Sequence, residues 1–225
     1  IVFMKVNKRR QELISEIVSK RQLDLCVVLE NVQDDHNIGA VLRTCDAVGI
    51  QELYILNTEP LIKKRFVKVG KRTSAGTRKY LNVFYYNDPE ACFSHIKSKY
   101  KRILGTSLGE KSVSLYKLDL TESAAFVFGN EKTGITPGTQ PYIEQNFLIP
   151  MNGFAQSLNI SVACAISLYE CYRQREQKGM YTDAIQNDKQ ELLQHYLERS
   201  RGKVNPSVDY KIFSSDTDNK LAGNK

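Results

Sequence analysis

The chain has 225 residues, 41% of them hydrophobic and 25% charged, which suits one α/β domain with small appendages and leaves enough apolar mass for a core. No apolar run approaches the ~20 residues of a membrane helix, and the apolar start at 1–4 is too short for a signal peptide, so a cytoplasmic protein with no membrane partner is expected. The net charge of +7 at pH 7 permits a polyanionic partner without proving one.

Residues 7–22 read as an amphipathic helix, with Leu13, Ile14, Ile17 and Val18 at helical spacing and basic residues, Arg9, Arg10 and Arg21 among them, on other faces. A nearly all-apolar strand follows at 25–30, as expected of a buried parallel strand. After a polar loop at 31–36, a helix spans 37–48, with Asn37 at its N-cap and Gly49 as its stop. A strand covers 52–56. The stretch 62–80 reads as a loop with a short helix. Between 63 and 79 it carries eight basic residues, Lys71 and Arg72 included, and no acidic one. Strands at 81–86, 102–106, 124–128 and 147–150 are predicted, with a helix at 89–99. A long helix at 157–177 is stopped by Gly179, and a last helix covers 188–199. The polar tail after Arg201 reads as a flexible appendage. Strands alternating with helices predict an α/β fold, a mostly parallel sheet with helices on both faces. The expected division is a basic helical extension at 1–22, a central domain at 23–179, and a C-terminal helix and polar tail at 180–225.

Five cysteines (Cys26, Cys45, Cys92, Cys164 and Cys171) have irregular spacing and no CxxC pair, and the three histidines are scattered. They read as small buried hydrophobes in a reducing compartment; no metal and no disulfide is expected.

Parallel α/β proteins place ligands in loops at the carboxyl ends of their strands, and three such stretches have unusual composition. The first runs from Glu30 to Gly49. Within it Arg43 lies six residues beyond Asn37; taken alone, an arginine there reads rather as a surface or salt-bridged helix residue. The second, Phe128-Gly129-Asn130-Glu131-Lys132-Thr133-Gly134-Ile135, is a strand-to-loop junction where glycines let backbone approach a ligand. The third runs from Ile149-Pro150-Met151 through Gly153 to Gln156-Ser157-Leu158-Asn159-Ile160-Ser161. It leaves a strand at proline and enters a helix that Ser157 and Asn159 could open, or simply cap. Neither GxGxxG nor GxxxxGK[ST] occurs in the required setting, which disfavours dinucleotide folds and P-loop NTPases.

Together the three stretches resemble the SpoU/TrmH methyltransferases of the SPOUT superfamily. Asn37, Arg43, Thr44, Asp46, Ala47 and Gly49 match the family's first motif. Gly129, Glu131, Gly134 and Ile135 match the second. Ile149 to Met151, Gly153 and Gln156 to Ser161 match the third, with order and spacing to suit. His36 and the helix end with Arg173, Gln174 and Arg175 resemble the tRNA-modifying subgroup. Gly39, Asn130, Asn152, Phe154 and Ala155 depart from the usual residues without removing a motif polar group.

The resemblance implies a C-terminal trefoil knot, a homodimer joined through the helices after residues 37 and 157, and S-adenosyl-L-methionine held near Thr106, Gly129, Ile149 and Leu158. It implies methyl transfer to a ribose 2′-hydroxyl of tRNA, at D-loop guanosine 18. It names Arg43 as the activating residue. Arginine stays protonated in proteins, so a phosphate clamp that orients the hydroxyl, helped by Asn37, is the preferred reading. Glu131, Ser157 and Asn159 would position substrate. Arg9, Arg10, Arg21, His36, Lys71, Arg72, Arg173 and Arg175 would contact RNA. An rRNA methyltransferase of the same family and a catalytically silent RNA-binding protein are the alternatives.

Overall fold

In the computed structural model the described residues are 7–59, 80–201 and 210–213. The basic stretch, with Lys71 and Arg72, lies outside them.

Eight strands form one sheet: β1 (Gln22–Glu30), β2 (Ile50–Leu56), β3 (Asn82–Tyr86), β4 (Arg102–Thr106), β5 (Val113–Ser114), β6 (Ala124–Phe128), β7 (Gln145–Leu148) and β8 (Tyr210–Phe213). Their order is β5-β7-β4-β6-β1-β2-β3-β8, and every pairing is parallel. The helices are α1 (Lys8–Ser19), α2 (Asp35–Ala47), α3 (Pro89–Lys97), α4 (Ile160–Gln177) and α5 (Gln190–Ser200).

From Leu25 to Leu29 strand β1 is apolar on both faces because both are covered. Leu25, Val27 and Leu29 point into a core shared with Ile38, Leu42 and Cys45 of α2 and Cys164 and Leu168 of α4. Cys26 and Val28 point the other way, toward Cys92, Phe93 and Ile96 of α3. That alternation is the period of two that a pleated strand imposes. A third cluster joins the two ends of the chain. Ile14 and Val18 of α1 meet Tyr196 of α5, with Tyr80, Leu192, Leu193 and Leu197 around them. All five cysteines are buried and unpaired. Burial pushes the thiols of Cys45 and Cys171 up to about 12, which removes them from nucleophilic chemistry. Among the described residues no helix is long and apolar enough to cross a membrane.

Several expected boundaries move. Helix α1 stops at Ser19, and its stripe is half as wide as expected: Leu13 and Ile17 remain exposed. The N-cap of α2 is Asp34, whose side chain accepts from the His36 amide at 2.8 Å. Asn37 therefore lies inside the first turn. Helix α4 begins at Ile160 rather than 157, capped by Asn159. Strand β7 starts two residues earlier than expected. Residues 210–213 of the expected flexible tail add a strand to β3, where the open edge of a sheet offers unpaired backbone groups. Gly49 and Gly179 end α2 and α4 at φ +85° and +67°, as their positions in the sequence predict.

Candidate active site

The carboxyl ends of β4, β6 and β7 open onto one cleft of about 550 Å³, closed on the far side by the start of α4. Thr106, Gly129, Ile149 and Leu158, the residues expected to hold a cofactor, all line it, and so do Glu131 and Ser157. Phe128, Phe147 and Ile160 supply apolar wall. The position is the usual one for parallel sheets, outside the strand ends where the chain order reverses.

The bend after β6 shapes one wall. Asn130 and Gly134 pair across it, with Asn130 N donating to Gly134 O at 3.2 Å and Gly134 N to Asn130 O at 2.8 Å. Gly134 takes φ +67° to close the turn. Gly129 lies against the returning chain: a β-carbon there would stand 2.1 Å from the Gly134 carbonyl carbon. Only glycine fits that approach. Asn130 also donates through Nδ2 to the Asn31 carbonyl at 2.8 Å, and its Oδ1 accepts from the Lys132 amide.

A chain of hydrogen bonds then joins the three stretches. Asn37 Nδ2 donates to Glu131 Oε1 at 2.7 Å. Asn159 Nδ2 donates to Asn37 Oδ1 at 3.2 Å. Asn159 Oδ1 accepts from the Ser161 amide at 2.9 Å and hydroxyl at 2.6 Å. One asparagine thus caps α4 and reaches across to α2. The displacement of Asn37 from the N-cap is what frees its side chain for this role. A carboxylate, two amides and a hydroxyl stand in a defined order beside a cleft with a partly apolar wall. Such an arrangement can orient a polar substrate against a ligand held in the cleft.

The sequence profile of the SpoU rRNA methylase family matches residues 24–169. The chain belongs to that family. A tRNA (guanosine(18)-2′-O)-methyltransferase of Aquifex aeolicus (strain VF5) is 38% identical over 177 residues, 79% of this chain and 82% of that one. A 23S rRNA (guanosine-2′-O-)-methyltransferase of Acinetobacter baylyi (strain ATCC 33305 / BD413 / ADP1) is 32% identical, over 72% of this chain and 64% of its own. In fold, the crystal structure of the A. aeolicus TrmH/SpoU tRNA modifying enzyme superposes with a TM-score of 0.76. It is 34% identical and covers 87% of this chain and 96% of its own.

Against that SpoU frame the remaining expected residues divide. Arg43 is exposed on α2, six residues beyond Asn37, with no hydrogen bond or ion pair among the described residues. His36 and Arg9 are exposed too. Arg10 is exposed, but its guanidinium is tied to Ser200 Oγ at 2.6 Å and Tyr80 Oη at 3.0 Å. Arg173 is half exposed and paired with Glu170 through two bonds of 2.8 and 2.7 Å; the pairing holds the Glu170 carboxyl below its ordinary range.

Two expected RNA contacts are overturned. Arg21 is 1% exposed, ion-paired with Asp46 and donating to the Ile50 carbonyl. Arg175 is fully buried. It forks onto Asp24 at 2.8 and 2.9 Å and donates to Gln22 Oε1 and to the carbonyls of Leu120 and Glu122. Five bonds occupy the five donors of a guanidinium, so none is left for a phosphate. Both arginines fasten the sheet to its helices. Glu30 and Asn31, which carry no role in the motif pattern, are also fully buried. The available signal was a charged residue and then an amide directly after the apolar run 25–29.

Proposed function

We propose that this protein methylates a ribose 2′-hydroxyl of tRNA, at D-loop guanosine 18, with S-adenosyl-L-methionine as donor. The observation that carries the reading is the Glu131–Asn37–Asn159 hydrogen-bond chain, which brings the three signature stretches together at one cleft. The cleft fits the cofactor in kind. It has apolar wall for an adenine, exposed backbone at a glycine bend for polar edges, and a size in the usual range for such ligands. When bound, the cofactor supplies an electrophilic methyl group.

The chain's own residues do the rest. Glu131, Asn37 and Asn159 form a rigid polar edge that positions the ribose, with Ser157 beside them at the cleft wall. Arg43 stays protonated and clamps the adjacent phosphate, which turns the hydroxyl toward the methyl group; the proton leaves through that phosphate. Thr106, Gly129, Ile149 and Leu158 hold the cofactor. Arg9, Arg10, His36 and Arg173 bind tRNA phosphates, as do Lys71 and Arg72 of the basic stretch. The working form is a homodimer. Val162 and Tyr169, 45% and 52% exposed along α4, supply apolar surface for a second copy. Around the cleft the backbone forms a trefoil knot, an arrangement with which the placing of β7 beside β4 accords. The central domain is 23–179, with the extension at 1–22 and the segment 180–225 joined to it. Five free cysteines suit the cytoplasm.

Mapping 2′-O-methyl groups on tRNA and on 23S rRNA fragments, each treated with enzyme and labelled cofactor, tests the substrate. Label at tRNA position 18 alone is expected. Label confined to rRNA would favour the second reading, which the A. baylyi relative keeps in view. Arg43→Ala should lower turnover on the order of 10²-fold, with cofactor affinity nearly unchanged.

A further inference from the structure

We infer that Glu30 is a positioning residue whose carboxylate latches the cleft-forming bend in the shape that accepts the cofactor. The inference rests on the reading of the cleft as an S-adenosylmethionine site and deepens it.

Glu30 ends β1 and has no solvent exposure. A buried carboxylate carries a steep desolvation cost unless its oxygens are satisfied. The partners here are an amide and two hydroxyls, with no ion pair among the described residues. Thr136 Oγ1 and Thr139 Oγ1 each donate to Oε1 at 2.6 Å, and the Thr136 amide donates to Oε2 at 3.0 Å. For stability alone, an apolar residue would suit the end of this strand better.

What the three bonds hold is one limb of the bend. Thr136 follows directly on Gly134 and Ile135, and Gln140 follows Thr139; all three flanking residues line the cleft. The next residue of β1's exit holds the other limb. Asn31, fully buried and at φ +54°, accepts the Asn130 side chain on its carbonyl. Two consecutive residues therefore grip the bend on both sides. They also begin the loop that leads to Asn37. The cofactor bend is thus placed in register with the Asn37–Glu131 edge by groups that touch neither cofactor nor substrate. Releasing the latch would let the bend sample other shapes, and apparent affinity falls in proportion to the fraction of molecules that keep the binding-competent one.

The test uses the full chain. Glu30→Leu keeps a side chain of similar size but removes every acceptor, leaving the Thr136 amide and both hydroxyls without their partner. Thr139→Val deletes one hydroxyl without changing the outline of the side chain, and Thr139→Ser restores it. Binding of S-adenosylmethionine is measured by titration calorimetry, beside the KM for tRNA and the unfolding midpoint. Glu30→Leu and Thr139→Val should weaken cofactor binding on the order of tenfold, with Thr139→Ser within about threefold of the unaltered protein and the KM for tRNA unmoved. Cofactor affinity within about twofold in Thr139→Val would overturn the latch. So would equal losses in cofactor affinity and tRNA KM, which mark a general loosening. Failure of the unaltered protein to bind S-adenosylmethionine would overturn the cleft reading itself, and the latch with it.

Discussion

Asn37 donates to Glu131 at 2.7 Å although 94 positions separate the two in sequence. The bond fixes which atom of each residue does what. Glu131 must accept there, and Asn37 keeps its oxygen for Asn159. Asn37→Asp places a second carboxylate against the first, where like charges repel, and removes the donor. Glu131→Gln retains an oxygen that can still accept. Methyl incorporation into tRNA should therefore fall on the order of 10²-fold for Asn37→Asp and by less than about tenfold for Glu131→Gln. Cofactor affinity should change by no more than a few-fold in Asn37→Asp, whose position is off the cleft wall. Equal losses in the two variants would mean that the charge of Glu131, rather than its geometry, is what the reaction uses.

The two glycines of the bend should respond differently. Alanine at Gly129 drives a methyl to 2.1 Å from backbone that cannot yield without opening the turn. Cofactor binding should drop more than about tenfold, with a lower unfolding midpoint. Alanine at Gly134 meets no atom within 4 Å. Its φ of +67° should cost only about 1–2 kcal/mol, read as a small shift in urea midpoint with the cleft intact. A Gly129→Ala protein that binds cofactor normally would place the ligand elsewhere.

Most of the sheet was legible because β1, β2 and β6 are apolar runs between turn residues, and Gly49 and Gly179 stop helices wherever a left-handed residue is needed. The convergence of the three stretches was legible through resemblance alone. No local pattern says that Asn37 lies beside Glu131. What failed was anything that depends on where a polar side chain goes after folding. Arg21 and Arg175 look like surface cations in sequence, but each faces a carboxylate brought up by another element, Asp46 or Asp24. Asn37 reads as a cap because it starts the apolar period, yet Asp34 is the residue whose side chain accepts from a first-turn amide. Strand β8 was hidden in a polar tail, since its partner edge on β3 exists only once the sheet has formed.

That distinction separates the arginines in solution. Arg9 is exposed on α1, so Arg9→Ala should weaken tRNA binding modestly and lower the slope of log affinity against log salt by up to about one. Arg175→Ala leaves Asp24, itself 42% exposed, without its partner and three other bonds unmade. It should cost about 1–3 kcal/mol of stability, chiefly from the buried acceptors left unpaired since water can reach Asp24, and leave the salt slope of the folded protein unchanged. A flattened slope in Arg175→Ala would return that residue to the RNA surface.

The ionised form of Glu52 contributes to stability through its partners. Burial pushes the carboxyl up, but the Lys99 ammonium at 2.6 Å and the hydroxyls of Tyr54 and Tyr100, both at 2.8 Å, outweigh it and hold the group below its ordinary value of 4.5. A carboxyl with a depressed folded value adds stability above the unfolded value and loses it as pH falls through the folded one. The contribution is therefore complete at pH 7 and fades below about pH 4.5. Glu52→Gln keeps the outline and removes the charge. In urea unfolding, the gap between the unaltered protein and Glu52→Gln should be of order 1–3 kcal/mol at pH 7 and should narrow steadily toward pH 3. The cause is local: on β2, Glu52 joins the strand to Lys99 and Tyr100, just after α3. A gap that stays constant over that range would mean shape, not ionisation, makes the contribution.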